Sequence, residues 1–232
     1  MAEKIKYTRK DLKGPDEFIS AFSRAVSWTQ ENRTKVLAAA GGVLLIVVAV
    51  LGGRAYFRWE ENRAAQDLWP YVNQARQSLE SPTAADREKL PQLERFLGEQ
   101  VAKHPGTVAA VYARYYLGGI AFVRGDYDRS AMQYRAAIKD SKLEGVMPYL
   151  LRKGLAQALD AKGEYAAASE AYREAASAAG GELRVQAEIG QARTLALAGK
   201  KPEAATLYRQ ILGETADPRV KELIEIKLAQ AE

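Results

Sequence analysis

The sequence predicts an all-α protein in which a single N-terminal transmembrane helix precedes an α-solenoid of helical hairpins. Three observations carry that expectation. An uncharged run of 18 residues lies near the N-terminus of a 232-residue chain that is 27% charged. Glycines between helical patterns recur 38 and 36 residues apart in the C-terminal half. With no cysteine and one histidine, disulfide frameworks, thiolate nucleophiles and Cys-ligated zinc are excluded, and histidine-dependent triads have almost no material.

Residues 1–35 form a basic tail, with eight Lys/Arg against five Asp/Glu. Gly14-Pro15-Asp16 suits a helix entry, and Phe18, Ile19, Phe22, Ala25 and Val26 follow at the spacing of one apolar helix face. Such a helix either lies in the headgroup region as a lead-in to the span or offers a docking face, and composition does not separate the two.

Residues 36–59 are read as a transmembrane signal anchor with an aromatic exit. The run VLAAAGGVLLIVVAVLGG, Val36 to Gly53, reaches about 27 Å as a helix, against a hydrocarbon core of about 30 Å. Tyr56, Phe57 and Trp59 then supply an interfacial belt, while Arg33, Lys35, Arg54 and Arg58 can snorkel to the headgroups. A cleaved signal peptide has a short basic start, whereas 35 residues precede this run. Arg24, Arg33 and Lys35 before the span are matched by Arg54, Arg58 and Arg63 after it. Lys4, Lys6, Arg9, Lys10 and Lys13 tip the balance toward a cytoplasmic N-terminus. Ala38/Gly42 and Ala49/Gly53 have the small-residue spacing that permits close helix approach, although such pairs are common in Ala/Gly-rich spans.

The net charge of +5 is accounted for by an excess of three in residues 1–35 and by Arg54 and Arg58; residues 60–232 carry 24 charges of each sign. The excess therefore sits where anionic lipid would be its partner, and no phosphate-tracking face is left for nucleic acid.

Residues 60–232 read as helical hairpins. Ala64 to Leu79 and Arg87 to Lys103, parted by Ser81-Pro82 and closed by His104-Pro105-Gly106, give an atypical hairpin over 64–104. Three related segments follow, with repeats expected at 111–144, 149–182 and 185–216. Their central glycines are Gly125, Gly163 and Gly199. Five positions on stands a small residue (Ser130, Ala168, Ala204), and nine positions on a tyrosine (Tyr134, Tyr172, Tyr208). The small residue lets paired helices approach, and the tyrosine fills the gap toward the next hairpin. Asp217-Pro218 opens a capping helix over 217–231, with Val220, Leu223, Ile224 and Leu228 on its apolar face. These segments resemble tetratricopeptide repeats. The first matches through Leu117, Gly118, Ala121, Gly125, Tyr127, Ser130, Tyr134 and Ala137. The second matches through Leu155, Ala156, Gly163, Tyr165, Ala168, Tyr172 and Ala175. The third keeps Ala192, Gly199, Ala204 and Tyr208 but has Gln191 and Lys201 where Leu and an aromatic are usual.

No stretch supplies a phosphate loop, a metal-ligand set or a nucleophile with a base, so neither catalysis, cofactor, metal nor small-molecule substrate is expected. His104 is expected to be an exposed loop residue. Glu60-Glu61 and Asp126/Asp128 are expected to be helix-start and turn residues rather than an acid/base pair. Function then rests on a surface. The repeat resemblance implies that the first helix of each hairpin lines a groove, through Tyr115, Gly119 and Phe122, then Lys153, Gln157 and Asp160, then Ile189, Arg193 and Ala196. This mixed face suits an extended peptide or partner helix. Alternatively, the upstream hairpin covers Tyr115 and Phe122.

The order of tail, span, divergent hairpin and repeats resembles the YfgM-like ancillary subunits of the bacterial Sec translocon. The tail's GPDEF, the exit WEENRAAQDLW and the stretch KHPGTVAAVYARYYLGGIAFVRGDYDRSA carry this resemblance. It implies a single-pass inner-membrane protein whose periplasmic domain works with the translocon, a membrane-anchored periplasmic chaperone or client chains. A scaffold for cell-wall, division or pilus assembly would share the same architecture.

Overall fold

The computed structural model describes residues 14–80, 84–140 and 143–231, with side chains omitted at 14–18, 80, 84–87 and 231. The basic residues Lys4 to Lys13, the Phe18 side chain and the Ser81-Pro82 break lie outside the described residues. Ten α-helices and no strand occur among the described residues: α1 Gly14–Glu31, α2 Arg33–Glu80, α3 Ala84–Lys103, α4 Val108–Val123, α5 Tyr127–Asp140, α6 Met147–Ala161, α7 Tyr165–Ser177, α8 Gly181–Leu197, α9 Lys201–Glu214 and α10 Pro218–Ala231. The chain divides into two compact units, Met1–Arg58 and Trp59–Glu232.

The first unit holds α1 and the N-terminal part of α2. Ile19, Phe22, Val26 and Trp28 on α1 are exposed. So are Leu37 and the run of large apolar residues from Val43 to Leu51 on α2, where the most apolar stretch has a mean hydropathy of 2.6 and nothing buried. By length and composition this helix could cross a membrane.

α2 continues to Glu80 as one element, where sequence reasoning ended the exit near Trp59 and began a new helix at Ala64. Residues 54–69 contain neither glycine nor proline, so nothing interrupts the hydrogen-bond ladder there. Pro70 is carried inside α2 because the helix is held on both sides of it by a buried stripe, Ala64, Leu68, Val72 and Ala75. That stripe packs with Leu90, Leu93 and Leu97 of α3 and with Ala109, Ala113, Leu117 and Ile120 of α4. Tyr71 stacks on Phe96 across the hairpin. Burial of each such side chain contributes about 1.5 to 3 kcal/mol before ordering costs.

Three helical hairpins follow, α4–α5, α6–α7 and α8–α9. Gly125, Gly163 and Gly199 take φ of 78°, 80° and 81°, a left-handed conformation that costs glycine little. Each ends its helix in a Schellman pattern: Gly125 N–H donates to Phe122 C=O at 2.9 Å and Asp126 N–H to Ala121 C=O at 2.9 Å, and the other two repeat the arrangement. Ser130, Ala168 and Ala204 are fully buried, and Tyr134, Tyr172 and Tyr208 are at most 6% exposed. Burial raises the phenol pKa of all three tyrosines. The rings of Tyr134 and Tyr172 seat against glycines one helix away. The Tyr134 ring lies between Gly118 of α4 and Gly154 of α6, and the Tyr172 ring lies on Gly190 of α8.

In α10, Ile224 is fully buried and Val220 and Leu228 pack around it, but Leu223, expected on that face, is 43% exposed. No further hairpin follows α10 among the described residues to cover its other side.

Two expectations about polar residues need correction. His104 is 3% exposed, not a free loop residue: Nδ1 lies 2.7 Å from Glu60 Oε1 and Nε2 lies 3.2 Å from Asp67 Oδ2. Glu60 and Asp67 sit two turns apart on one side of α2, so the ring bridges that helix to the α3–α4 connection. Lys103 Nζ also donates to Asp67 at 2.5 Å, and the ammonium first, then the imidazole, hold the Asp67 carboxyl below its usual 3.8. Glu60 and Glu61 are mid-helix in α2 rather than at its start. Glu61 nevertheless does put charge at a helix N-terminus, that of α4, by accepting the Val108 N–H at 3.0 Å. Thr107 completes that cap: its Oγ1 accepts from Ala110 N–H at 3.1 Å and donates to His104 C=O at 2.8 Å. Asp126 behaves as expected, accepting the Arg129 N–H at 3.1 Å at the start of α5.

Candidate functional site

The hairpins present two unlike sides. Successive first helices run close together, α4 with α6, α6 with α8 and α8 with α10, whereas the backbones of α5, α7 and α9 come close only to first helices among the described residues, with Arg129 of α5 reaching back to pair with Glu94 of α3. The first helices therefore line the shorter, inner side. α10, read from sequence as a cap, occupies the place of a fourth first helix.

Each expected groove residue falls in a definite environment on this side. Tyr115 is half-buried, its ring edge-on to Tyr116 at 5.2 Å and to Tyr134 at 6.1 Å. Gly119 lies under α2: a Cβ built there would be 2.7 Å from Leu79 Cδ1. Phe122 is half-buried against Tyr127 at 5.3 Å. The aromatic end proposed for the groove is thus largely packed, and the preceding hairpin covers part of it.

The middle is polar and internally paired. Lys153 Nζ donates to Gln186 Oε1 at 3.3 Å and stands 5.4 Å from the centre of the Tyr149 ring. Gln157 is exposed. Arg193 clasps Asp160 through both terminal nitrogens, one of them 3.3 Å from Asp160 Oδ1, and also bonds to Tyr172. Asp160, as the nearest partner, raises the Arg193 pKa further. Ile189 packs into the core formed by Ala192, Tyr208 and Ile224. Ala196 lines a cavity of about 430 Å³ with Arg193, Leu197, Lys201, Tyr208, Lys227 and Gln230.

The side chains on which sequence reasoning converged are thus joined in the pair Asp160–Arg193 and otherwise act separately. It missed Trp69 and Tyr112, which meet edge-to-face at 6.3 Å and line a cavity of about 340 Å³ between α2 and α4. Trp69 is 60% exposed. Its signal lay in the exit motif WEENRAAQDLW, which becomes part of the first hairpin once α2 is continued. Among the described residues no group of His, Asp and Glu is arranged to hold a metal ion.

Comparison with known proteins agrees with this architecture. Among solved structures, the chain is similar to crystallised TPR-like repeats of a Podosopora anserina kinesin light chain, with a TM-score of 0.58 and 15% identity over 71% of this chain and 84% of that one. A variant of the same repeats gives a TM-score of 0.58 and 16% identity over the same shares. These likenesses concern the fold. No curated protein matches the chain. A family model described as a tetratricopeptide repeat-like domain matches residues 27–232. Together with the three glycine-hinged hairpins, this match shows that the chain belongs to the tetratricopeptide repeat-like domain family and is a module for interaction with protein partners.

Proposed function

We propose that this protein is a membrane-tethered interaction module on the periplasmic side of a bacterial inner membrane, ancillary to the Sec translocon and periplasmic chaperones in handling secreted or envelope proteins. The observation that carries the reading is one chain holding both an unburied apolar helix long enough to span a bilayer and a hairpin array with exposed residues such as Trp69 and Gln157. The order of tail, span and array, which resembles the YfgM-like subunits, supports the choice of neighbour. Tethering makes a modest face useful, because confinement beside an exit site raises effective concentration toward roughly the millimolar range. The work required is recognition and positioning, and it needs no catalytic group.

The test is photocrosslinking in intact cells. Crosslinkers at Trp69 and Gln157 on the inner side should capture translocon subunits, an envelope chaperone or secretory chains, while crosslinkers at Met132 and Arg173 on second helices should not. Capture of only cell-wall, division or pilus components would replace this reading with an assembly scaffold. Equal capture from both sides would dispose of the inner face.

A further inference from the structure

Helix α1 is exposed all round from Ile19 to Gln30, yet its side chains are sorted. At the helical period Ile19, Phe22, Ala25 and Val26 share one face, with Ile19 61%, Phe22 64% and Val26 40% exposed. The opposite side carries Ser20, Arg24 and Ser27, with Ser23 at its margin. Its donors turn back on the helix: Ser23 Oγ donates to Ser20 C=O at 3.1 Å, Ser27 Oγ to Arg24 C=O at 3.0 Å, and Arg24 Nε to Ser20 C=O at 3.1 Å. From Ile19 to Gln30 the only charged residue is Arg24. Asn32 is the one residue between α1 and α2, and it ties them together. Its side-chain amide donates to Trp28 C=O at 3.0 Å, and its Oδ1 accepts from Lys35 Nζ at 3.2 Å. The apolar run begins four residues later, at Val36.

We propose that α1 turns at Asn32 and lies in the plane of the bilayer surface, with Ile19, Phe22, Ala25 and Val26 inserted among phospholipid chains and the serine side in water. Continuity with the span names the occupant. An apolar face tied within about one turn of an unburied membrane-length helix has the bilayer as its nearest apolar phase. If α1 instead ran straight on from α2, Phe22 would stand about 21 Å from the start of the apolar run and its ring would face water. The serine side, with its hydroxyls satisfied within the helix, is wettable without a polar partner. Insertion is driven by apolar area, because a single guanidinium over this stretch does little to hold the helix at an anionic surface. Trp28, 58% exposed, stands beside the joint, at the level where indole rings settle. The in-plane helix gives the anchor a second contact with the membrane, so the span cannot turn freely about its own axis. The proposal rests on the reading of the chain as membrane-tethered.

The test uses the full chain in vesicles of phosphatidylcholine alone, with single thiols placed by Ile19→Cys, Val26→Cys, Ser20→Cys or Ser27→Cys in a chain that has no cysteine of its own. N-ethylmaleimide crosses the bilayer, so labelling does not depend on which way the chain is inserted. It reacts with the thiolate, which does not form in hydrocarbon. Positions 20 and 27 should be labelled several-fold faster than 19 and 26, and the difference should persist at high salt. Phe22→Glu should lift the helix and bring position 26 up to the rate of position 27. Because Phe22 is exposed, that change removes no packing, and the thermal midpoint of the hairpin array should stay where it was. Equal labelling of all four positions in pure lipid would overturn the proposal and leave α1 as a face for a protein. Loss of the pattern at high salt would overturn it too, since attraction by basic residues would then replace insertion. Flotation separates the two readings. A chain that floats with the vesicles but shows no pattern sinks this inference alone, whereas one that does not float sinks the tether as well.

Discussion

Gly154→Ala tests the register of the array at a single atom. A Cβ at position 154 would stand 2.5, 2.6 and 2.9 Å from three carbons of the Tyr134 ring, against an ordinary carbon contact of about 3.5 Å. The ring must therefore retreat by about 1 Å. It has no room to do so, because its other face rests on Gly118, where an added Cβ would be only 2.8 to 3.0 Å from the same ring. Overpacking of this kind costs about 1 to 3 kcal/mol. Alanine returns about 1 kcal/mol of helix propensity, which sets the control. Gly98 in α3 has nothing within 4 Å of a built Cβ, so Gly98→Ala should be stabilising by about 1 kcal/mol. The informative quantity is the gap of about 1 to 3 kcal/mol between the two variants. For a unit of this size it corresponds to about 2 to 4 °C in melting midpoint per kcal/mol, measured by circular dichroism on the full chain in detergent. In a Tyr134→Leu background the penalty at 154 should shrink, because the clashing ring is gone. If Gly154→Ala stabilised the protein as much as Gly98→Ala, the claim that the tyrosine of one hairpin seats on the first helix of the next would be refuted.

Ala168→Leu, at a fully buried position where α7 meets its neighbours, should cost about 1 to 3 kcal/mol and lower the melting midpoint; no change would mean that the small-residue register is wrong. His104→Phe should cost a similar amount, about 1 to 3 kcal/mol, because it keeps the bulk of the ring while removing the ring nitrogens that face Glu60 and Asp67, leaving Asp67 with Lys103. The Asp67 carboxyl is held below 3.8 in the folded state, so its stabilising effect is complete above that value and is lost as pH falls through the lowered folded pKa. The midpoint difference between wild type and Asp67→Asn should accordingly be constant near about pH 6 and shrink below about pH 4. Because the chain contains no cysteine, Gln157→Cys and Thr29→Cys give clean single thiols. In cells stripped of their outer membrane, an impermeant maleimide should label position 157 and spare position 29; the reverse pattern would invert the proposed topology.

Periodicity alone makes most of the hairpin array legible in the sequence. Gly125, Gly163 and Gly199 announce their own turns, since a left-handed residue at a helix end is a local demand that leaves a local trace. Ser130, Ala168, Ala204 and the three tyrosines follow because each repeats the same packing problem at nearly the same interval. The His104 bridge has no such trace. Its partners lie 44 and 37 residues upstream on α2. A polar contact between distant elements has neither period nor motif, so a lone histidine beside proline and glycine reads as a loop. The same limit hides the Trp69–Tyr112 edge and the cavity around Tyr208, each assembled by helices brought together only by the fold. The expected groove positions lie on α4, α6 and α8, and of their polar members Lys153, Asp160 and Arg193 are spent on each other or on neighbours while Gln157 is exposed. Sequence spacing fixes which way a side chain faces; it does not say what the opposing helix brings to meet it.

The lopsided contact pattern, with first helices touching and second helices apart, also has a mechanical consequence. A stack joined along one edge behaves like a book bound at its spine. Opening or closing the leaves changes the distances between α5, α7 and α9, whose backbones do not come close to one another among the described residues. The array can therefore flex in one direction at small energetic cost, while twisting that slides α4, α6 and α8 past each other must unseat tyrosine rings from their glycines. A guest segment along the spine would stiffen the softer motion first. Force applied at α10 would peel hairpins in sequence from that end, since Ile224 is held by the α8–α9 core and, among the described residues, by nothing from the first two hairpins.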